Sequence, residues 1–133
     1  MTNLIAPRPD ERQEGILVDV VLAASTKVYK GSNVNYNAAG LAKKASDTTG
    51  ESFAGVAMET KDSSGPKDSD KYVRVWKEGV FSMNCSGATQ AWVGQDVFAV
   101  DDNLVALAAT TTNDVKVGRV VQFVSATEVR VKI

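Results

Sequence analysis

The chain repeats itself at a constant offset of 63 residues, and this repeat limits the folds that it can adopt. Residues 26–55 align with residues 89–118 without a gap. The identical pairs include Gly31 with Gly94, Val34 with Val97, Leu41 with Leu104 and Gly55 with Gly118. Both halves then end in Val-Arg-Val, at residues 73–75 and 129–131. The repeat predicts two similar units, at about 15–76 and 78–133, packed as one body around a pseudo-twofold axis.

Short runs rich in Val, Phe, Tyr and Trp, separated by Gly, Asn, Asp and Ser, predict strands throughout residues 15–133. Residues 128–133 alternate strictly between apolar and charged side chains, as a half-buried strand requires. The predicted strands are 16–23, 27–29, 33–36, 41–44, 53–58, 72–76, 80–84, 96–100, 105–108, 117–124 and 128–133. The fold class is therefore expected to be all-β, a compact β-sandwich or barrel built from two similar β units.

The first 14 residues differ from the rest of the chain. They hold two prolines and a charged run and lack the apolar stretch of a signal peptide, so they predict an extended, flexible N-terminal arm before a single domain, 15–133. A polar stretch at 59–71 predicts an exposed connection between strands. The chain has one cysteine, Cys85, and cannot form an internal disulfide. We expect a protein that is made and kept in a reducing compartment, or that leaves it by a route other than secretion.

Asp101, Asp102 and Asn103 lie between two apolar runs and raise the possibility of a metal or acid–base site. Their counterparts in the first half are Ala38, Ala39 and Gly40. Because the first copy manages without acids, we interpret the second as a turn whose side chains hydrogen-bond to the backbone. Gly40 and Asn103 are residue types that tolerate the positive φ of a hairpin turn.

The sequence offers little material for catalysis. It has no histidine, and Cys85 aligns with Leu22, which predicts a buried cysteine that packs as an apolar residue. The net charge is −1 and no segment gathers Lys and Arg, which argues against nucleic-acid or membrane binding. We expect no catalytic residue, no metal and no cofactor. Gly31, Gly55, Gly94 and Gly118 are expected to mark bends or close backbone approaches.

Five segments follow one another in an order that is similar to a known family: "YKGSNV", "FAGVAME", "VRVWKEGVFSM", "WVGQDVFAVDDNLVAL" and "VKVGRVVQFVSATEVRVKI". The chain resembles the small capsid cement, or decoration, proteins of tailed bacteriophages. The likeness covers roughly residues 15–133 and is a pattern of glycines and valines. The family's glycine-valine-alanine strand corresponds to residues 55–57, and its terminal hairpin corresponds to residues 117–133.

The resemblance implies a structural virion protein that binds the outside of an expanded phage head at local symmetry axes and stabilises it. The implied partners are the major capsid protein and further copies of the chain, as a trimer or a dimer. The implied location is the capsid exterior, reached from the host cytoplasm during assembly. Candidate contact residues are Leu4, Ile5, Arg8 and Arg12 in the arm, and Tyr36 and Trp76 on segments expected to lie at sheet edges.

Three other functions stay open at this point. A carbohydrate- or protein-binding β-module of a phage tail or fibre would need an exposed aromatic cluster. A biotinyl- or lipoyl-type carrier is also a two-fold β-repeat, but the lysine flanked by methionine that such a carrier modifies is missing. An enzyme would need a constellation of reactive side chains that the sequence does not display.

Overall fold

A computed structural model describes residues 15–65 and 71–133, and in these ranges the chain is all-β, as predicted. The chain also forms a 3-10 turn at Gln90–Trp92. The strands are β1 (Leu17–Val21), β2 (Lys27–Val28), β3 (Asn33–Tyr36), β4 (Ala42–Lys44), β5 (Ser52–Ala57), β6 (Lys61–Asp62), β7 (Tyr72–Trp76), β8 (Val80–Asn84), β9 (Asp96–Ala99), β10 (Val105–Ala106), β11 (Lys116–Ser125) and β12 (Glu128–Lys132). The predicted arm, residues 1–14, lies outside the described residues.

The two predicted units are two five-stranded antiparallel sheets that form a sandwich. The first sheet has the order β1-β7-β5-β3-β4, and the second has the order β8-β12-β11-β9-β10. An isolated parallel bridge joins the two edges of each sheet, at Leu22 and Ala42 in the first and at Asn84 and Leu104 in the second. Each sheet therefore curls towards closure, as in a small barrel. The short strands β2 and β6 pair separately beside the first sheet.

The strand register repeats as closely as the sequence does. Val34 lies opposite Gly55 in the first unit, and their counterparts Val97 and Gly118 lie opposite each other in the second. A register shift follows at the same place in both pairs of strands. The internal repeat is therefore confirmed by topology and by residue pairing.

Gly55 and Gly118 show why both copies keep a glycine at this position. A Cβ on Gly55 would collide with the carbonyl oxygen of Trp76, and a Cβ on Gly118 would collide with that of Lys132. Both carbonyls belong to the neighbouring strand at the same point of the sheet. The predicted close approach of backbones is confirmed at these two glycines. Gly31 and Gly94 serve a different need, since they have φ of 86° and 87° at the entry to β3 and β9.

Each unit has an apolar core made of alternate strand residues. The first includes Val34, Val73 and Val75, all fully buried, and the second includes Val97, Val129 and Val131, also fully buried. In β7 and β12, two buried valines flank an exposed arginine, Arg74 and Arg130 respectively, so the valines share the inner face of each sheet. This period-two burial, rather than any local propensity, places the strands.

The two units bury different side chains where they meet, so the predicted pseudo-twofold relation does not hold at this contact. In the first unit, Val56 belongs to the second unit's core, and Phe53 and Trp76 pack against it. The counterparts of these three residues in the second unit are Lys116, Arg119 and Lys132, all of them exposed. A twofold axis would bury both sets equally. The contact is therefore asymmetric at these positions, and the repeat alone could not reveal which side chains it buries.

A second link joins the units through two equivalent loops. The Asp47 carboxylate accepts hydrogen bonds from the backbone N–H groups of Thr112 and Asn113, each at 2.8 Å. These bonds lower the pKa of Asp47. Thr49 Oγ1 donates to Asn113 Oδ1 at 2.7 Å in the same place. The loop contacts and the apolar contact around Val56 hold the two units together as one body.

Candidate interaction surfaces

The acidic stretch that raised the question of a metal site is a turn, as predicted. Asp101 Oδ1 accepts hydrogen bonds from the backbone N–H groups of Asn103 at 2.7 Å and Leu104 at 2.8 Å. In the described residues, no group of three or more metal-ligating side chains could hold an ion. The expected positive φ is found at Gly40, which has φ of 79°, but not at Asn103. The second copy closes its turn with the Asp101 carboxylate instead.

Cys85 is buried, as its alignment with Leu22 predicted. Burial raises the pKa of its thiol and so disfavours the reactive thiolate. Its Sγ lies 3.8 Å from the carbonyl oxygen of Ala126, which accepts a weak hydrogen bond. This cysteine packs the second unit.

Tyr36 and Trp76, the two predicted contact residues within the described chain, do not lie at sheet edges. Tyr36 ends β3, which pairs with both β4 and β5, and Trp76 ends β7, which pairs with both β1 and β5. The edge position was therefore wrong for both, because edge strands cannot be recognised until pairing partners are known. Trp76 is half-buried and packs against Phe81 across the two units, with ring centroids 6.4 Å apart.

Tyr36 is also half-buried and is engaged by one lysine. Lys77 Nζ donates a hydrogen bond of 2.7 Å to the Tyr36 hydroxyl and lies 4.6 Å from the ring centroid. A contact with a partner stays a prediction for Tyr36 and Trp76. Leu4, Ile5, Arg8 and Arg12 lie outside the described residues, as does the central part, 66–70, of the polar connection.

A polar cluster fills the space beside β3 and β4 in the first unit only. Asn35 Nδ2 donates to Glu51 Oε1 at 3.0 Å, and Lys43 Nζ pairs with Glu51 Oε2. Burial works to raise the pKa of Glu51, whose side chain is 6% exposed, but the hydrogen bonds from Lys43, Asn35 and Ser46 outweigh it and lower the pKa. The counterparts of Asn35 and Lys43 in the second unit are Phe98 and Ala106. We interpret the cluster as structural.

The exposed outer surface of β1 and β7 is the most distinctive surface of the first unit. Val21 and Tyr72 lie directly opposite each other there and are 45% and 52% exposed. The next outward pair is Asp19 and Arg74, which form an ion pair at 2.9 Å. The hydrogen bond from Arg74 lowers the pKa of Asp19. We call these four residues the β1–β7 face.

The second unit provides an internal comparison for the β1–β7 face. Its strands β8 and β12 pair in the same register, with Asn84 opposite Glu128 where the first unit has Val21 opposite Tyr72. The same strand pairing therefore forms with a polar pair, Asn84 and Glu128, as well as with an apolar pair, Val21 and Tyr72. Folding does not explain why Val21 and Tyr72 are apolar. The alignment of the two halves already showed that Val21 corresponds to a polar residue. The difference could be interpreted only when the structure showed that these side chains point outward.

No family model, no curated protein and no solved structure matches the chain. In the described residues, no helix is long and apolar enough to cross a membrane. The function must therefore be argued from the surfaces themselves.

Proposed function

We propose that the chain is a structural virion protein that binds the outer surface of a phage capsid at local symmetry axes and stabilises the expanded head. Its partner is the major capsid protein, and it associates with further copies of itself as a trimer or a dimer. The resemblance of residues 15–133 to cement proteins motivates the proposal. No catalytic role forms part of it.

The β1–β7 face is the observation that carries the proposal. Tyrosine and arginine are the residue types that contribute most at the centres of protein interfaces, and Tyr72 and Arg74 lie two residues apart on the same side of one strand. Val21 adds apolar area beside Tyr72, and the Asp19–Arg74 ion pair keeps the face soluble in the free protein. Residues 1–14 precede β1 directly in the chain, so an arm that contacts a partner would start beside this face.

The architecture suits a protein that works by its shape. The two sheets are joined both by apolar packing and by the Asp47 loop contacts, which favours one rigid body over two independent units. A rigid body loses little conformational entropy on docking. A copy that is already bound to the capsid can contact a neighbouring bound copy without a further loss of free motion. The overall affinity therefore rises although no single contact becomes larger.

The proposal can be tested by replacing Val21 and Tyr72 with the residue types found at the equivalent positions of the second unit, which are asparagine and glutamate. The variant Val21→Asn/Tyr72→Glu gives the first unit the surface of the second, so it is expected to fold normally. We expect it to bind decoration-free phage heads at least tenfold more weakly than the unaltered protein in a sedimentation assay. Arg74→Ala should also weaken binding, whereas the matched control Arg130→Ala, on the equivalent surface of the second unit, should not.

Two results would count against the proposal. One is saturable binding of the Val21→Asn/Tyr72→Glu variant with unchanged affinity, which would exclude the β1–β7 face from the contact. The other is a failure of the unaltered protein to bind any candidate head, which would favour a carbohydrate- or protein-binding module. Circular dichroism of each variant shows that a loss of binding is not a loss of folding.

A further inference from the structure

A polar groove lies between the two units, on a part of the molecule that the proposed function does not use. Its walls are residues 29–33 of the first unit and residues 82–84, 102 and 103 of the second. Its volume, 350 Å³, is at the lower end of the range for small-molecule sites. The backbone N–H of Asn33 donates to the carbonyl oxygen of Asp102 at 2.9 Å across the groove, which fixes its width.

The second unit's side of the groove carries groups that the fold does not need. Asp101, not Asp102, makes the hydrogen bonds of the turn. In the described residues, the half-buried Asp102 carboxylate makes no hydrogen bond and no ion pair. In the first unit the counterparts of Asp102 and Asn103 are Ala39 and Gly40, and β3 and β4 pair there in the same register as β9 and β10. The pairing of the two strands therefore does not depend on an acid or an amide at these positions.

These groups are held in place and point to a ligand with many hydroxyls. Asn84 Nδ2 donates to Asn103 Oδ1 at 2.7 Å, which orients both amides and leaves a donor on Asn103 and an acceptor on Asn84 for a ligand. Asp102 adds an acceptor, and the Ser82 hydroxyl adds a group that can donate or accept. A hydroxyl pair of a sugar ring needs such adjacent donors and acceptors.

The charge of the groove favours a neutral ligand. Its lining contains one acid, Asp102, and one base, Lys30, so their formal charges cancel. Among the lining residues, neither a phosphate nor a metal ion would find an excess of the opposite charge. Tyr29, which is 50% exposed, forms one wall, and Lys27 Nζ and Lys44 Nζ lie 4.9 Å and 5.7 Å from its ring centroid. The exposed part of Tyr29 offers apolar area and a hydroxyl to a sugar. We infer that this groove binds a neutral hexopyranose unit of a glycan.

The test is a titration of the ¹⁵N-labelled protein, followed by NMR, with the methyl glycosides of glucose, mannose, galactose and N-acetylglucosamine. We expect one of them to shift the amide signals of Gly31, Ser32 and Asn103 saturably below about 50 mM, within the millimolar affinities of weak small ligands. Inorganic phosphate, the charged comparison, should leave these signals unchanged.

The decisive variant is Asp102→Ala/Asn103→Gly, because it removes both candidate ligand groups and keeps Asp101, whose carboxylate makes the hydrogen bonds of the turn. We expect it to lose at least tenfold in affinity, while Glu78→Gln, which alters an exposed carboxylate outside the groove, keeps the affinity of the unaltered protein. The inference fails if no glycoside shifts the groove amides saturably, if phosphate binds in their place, or if the double variant binds a glycoside unchanged.

Discussion

Replacing Gly118 with alanine tests whether the close approach of β11 and β12 is a condition of the fold. The added Cβ would meet the Lys132 carbonyl oxygen and lie 2.8 Å from Val131 Cγ1 and 3.0 Å from the Lys132 carbonyl carbon. Favourable carbon contacts lie at about 3.5–4.0 Å, so β12 would have to move by roughly 0.5–1 Å. The backbone of Gly118 is not left-handed, and the cost is therefore steric.

The magnitude follows from two contributions that oppose folding and one that favours it. Overpacking a well-packed site costs about 1–3 kcal/mol. A displaced β12 weakens at least one strand hydrogen bond, worth about 1 kcal/mol. Alanine restricts the unfolded chain more than glycine does, and this effect stabilises the folded state by about 0.4–1 kcal/mol. We expect Gly118→Ala to lower the free energy of unfolding by about 2–3 kcal/mol.

Urea unfolding followed by the fluorescence of Trp76 and Trp92 measures this loss. With a denaturant slope of about 1–3 kcal/mol/M, the midpoint should fall by about 0.7–3 M. Gly65→Ala is the matched control, because a Cβ at Gly65 meets nothing within 4 Å. Gly55→Ala should cost at least as much as Gly118→Ala, since Gly55 also has φ of 151°. Equal midpoints for Gly118→Ala and Gly65→Ala would refute the reasoning.

Three further predictions concern the buried groups and the contact between units. Glu51→Gln should lower stability at pH 7 by about 1–2 kcal/mol, because hydrogen bonds to a charged group are lost. Since folding lowers the pKa of Glu51 from its ordinary value of 4.5, its contribution is present above that pH and is lost as the pH falls through the folded pKa. Thermal melts between pH 3 and pH 7 should therefore converge for the two proteins, and parallel curves would contradict this. Cys85 should react with a thiol reagent at least 100-fold more slowly in the native protein than in urea, and equal rates would show that the thiol is accessible. Val56→Arg should lower the free energy of unfolding in urea by about 3–5 kcal/mol, because it buries an unpaired charge. The reciprocal Arg119→Val should change it by less than about 1 kcal/mol. Similar costs for the two variants would contradict the asymmetric contact between the units.

The sequence predicted the strands well because their signal is local. Alternation at residues 128–133 and the turn residues around Gly31 and Gly94 are properties of a few neighbouring side chains. Strand β6 was missed, since its two residues pair with β2 only in the folded chain. The strand predicted at 41–44 is found as β4, one residue shorter at its start.

The surfaces could be predicted only in part. The self-alignment already placed Val56 over Arg119 and Val21 over the polar Asn84, and these mismatches mark the two places where the units differ in their contacts. Their meaning depends on which side of the sheet each residue faces and on what covers it, and both are settled by tertiary packing. The groove depends on the relative position of the two units and could not be found from either copy.

The central claim is that the β1–β7 face meets a capsid. Electron cryomicroscopy of decoration-free heads saturated with the protein tests it most directly, because the orientation of each bound copy becomes visible. The claim predicts ordered copies around a local symmetry axis, with Tyr72 and Arg74 against the major capsid protein. Ordered copies with this face turned to solvent, or heads without added density, would contradict it.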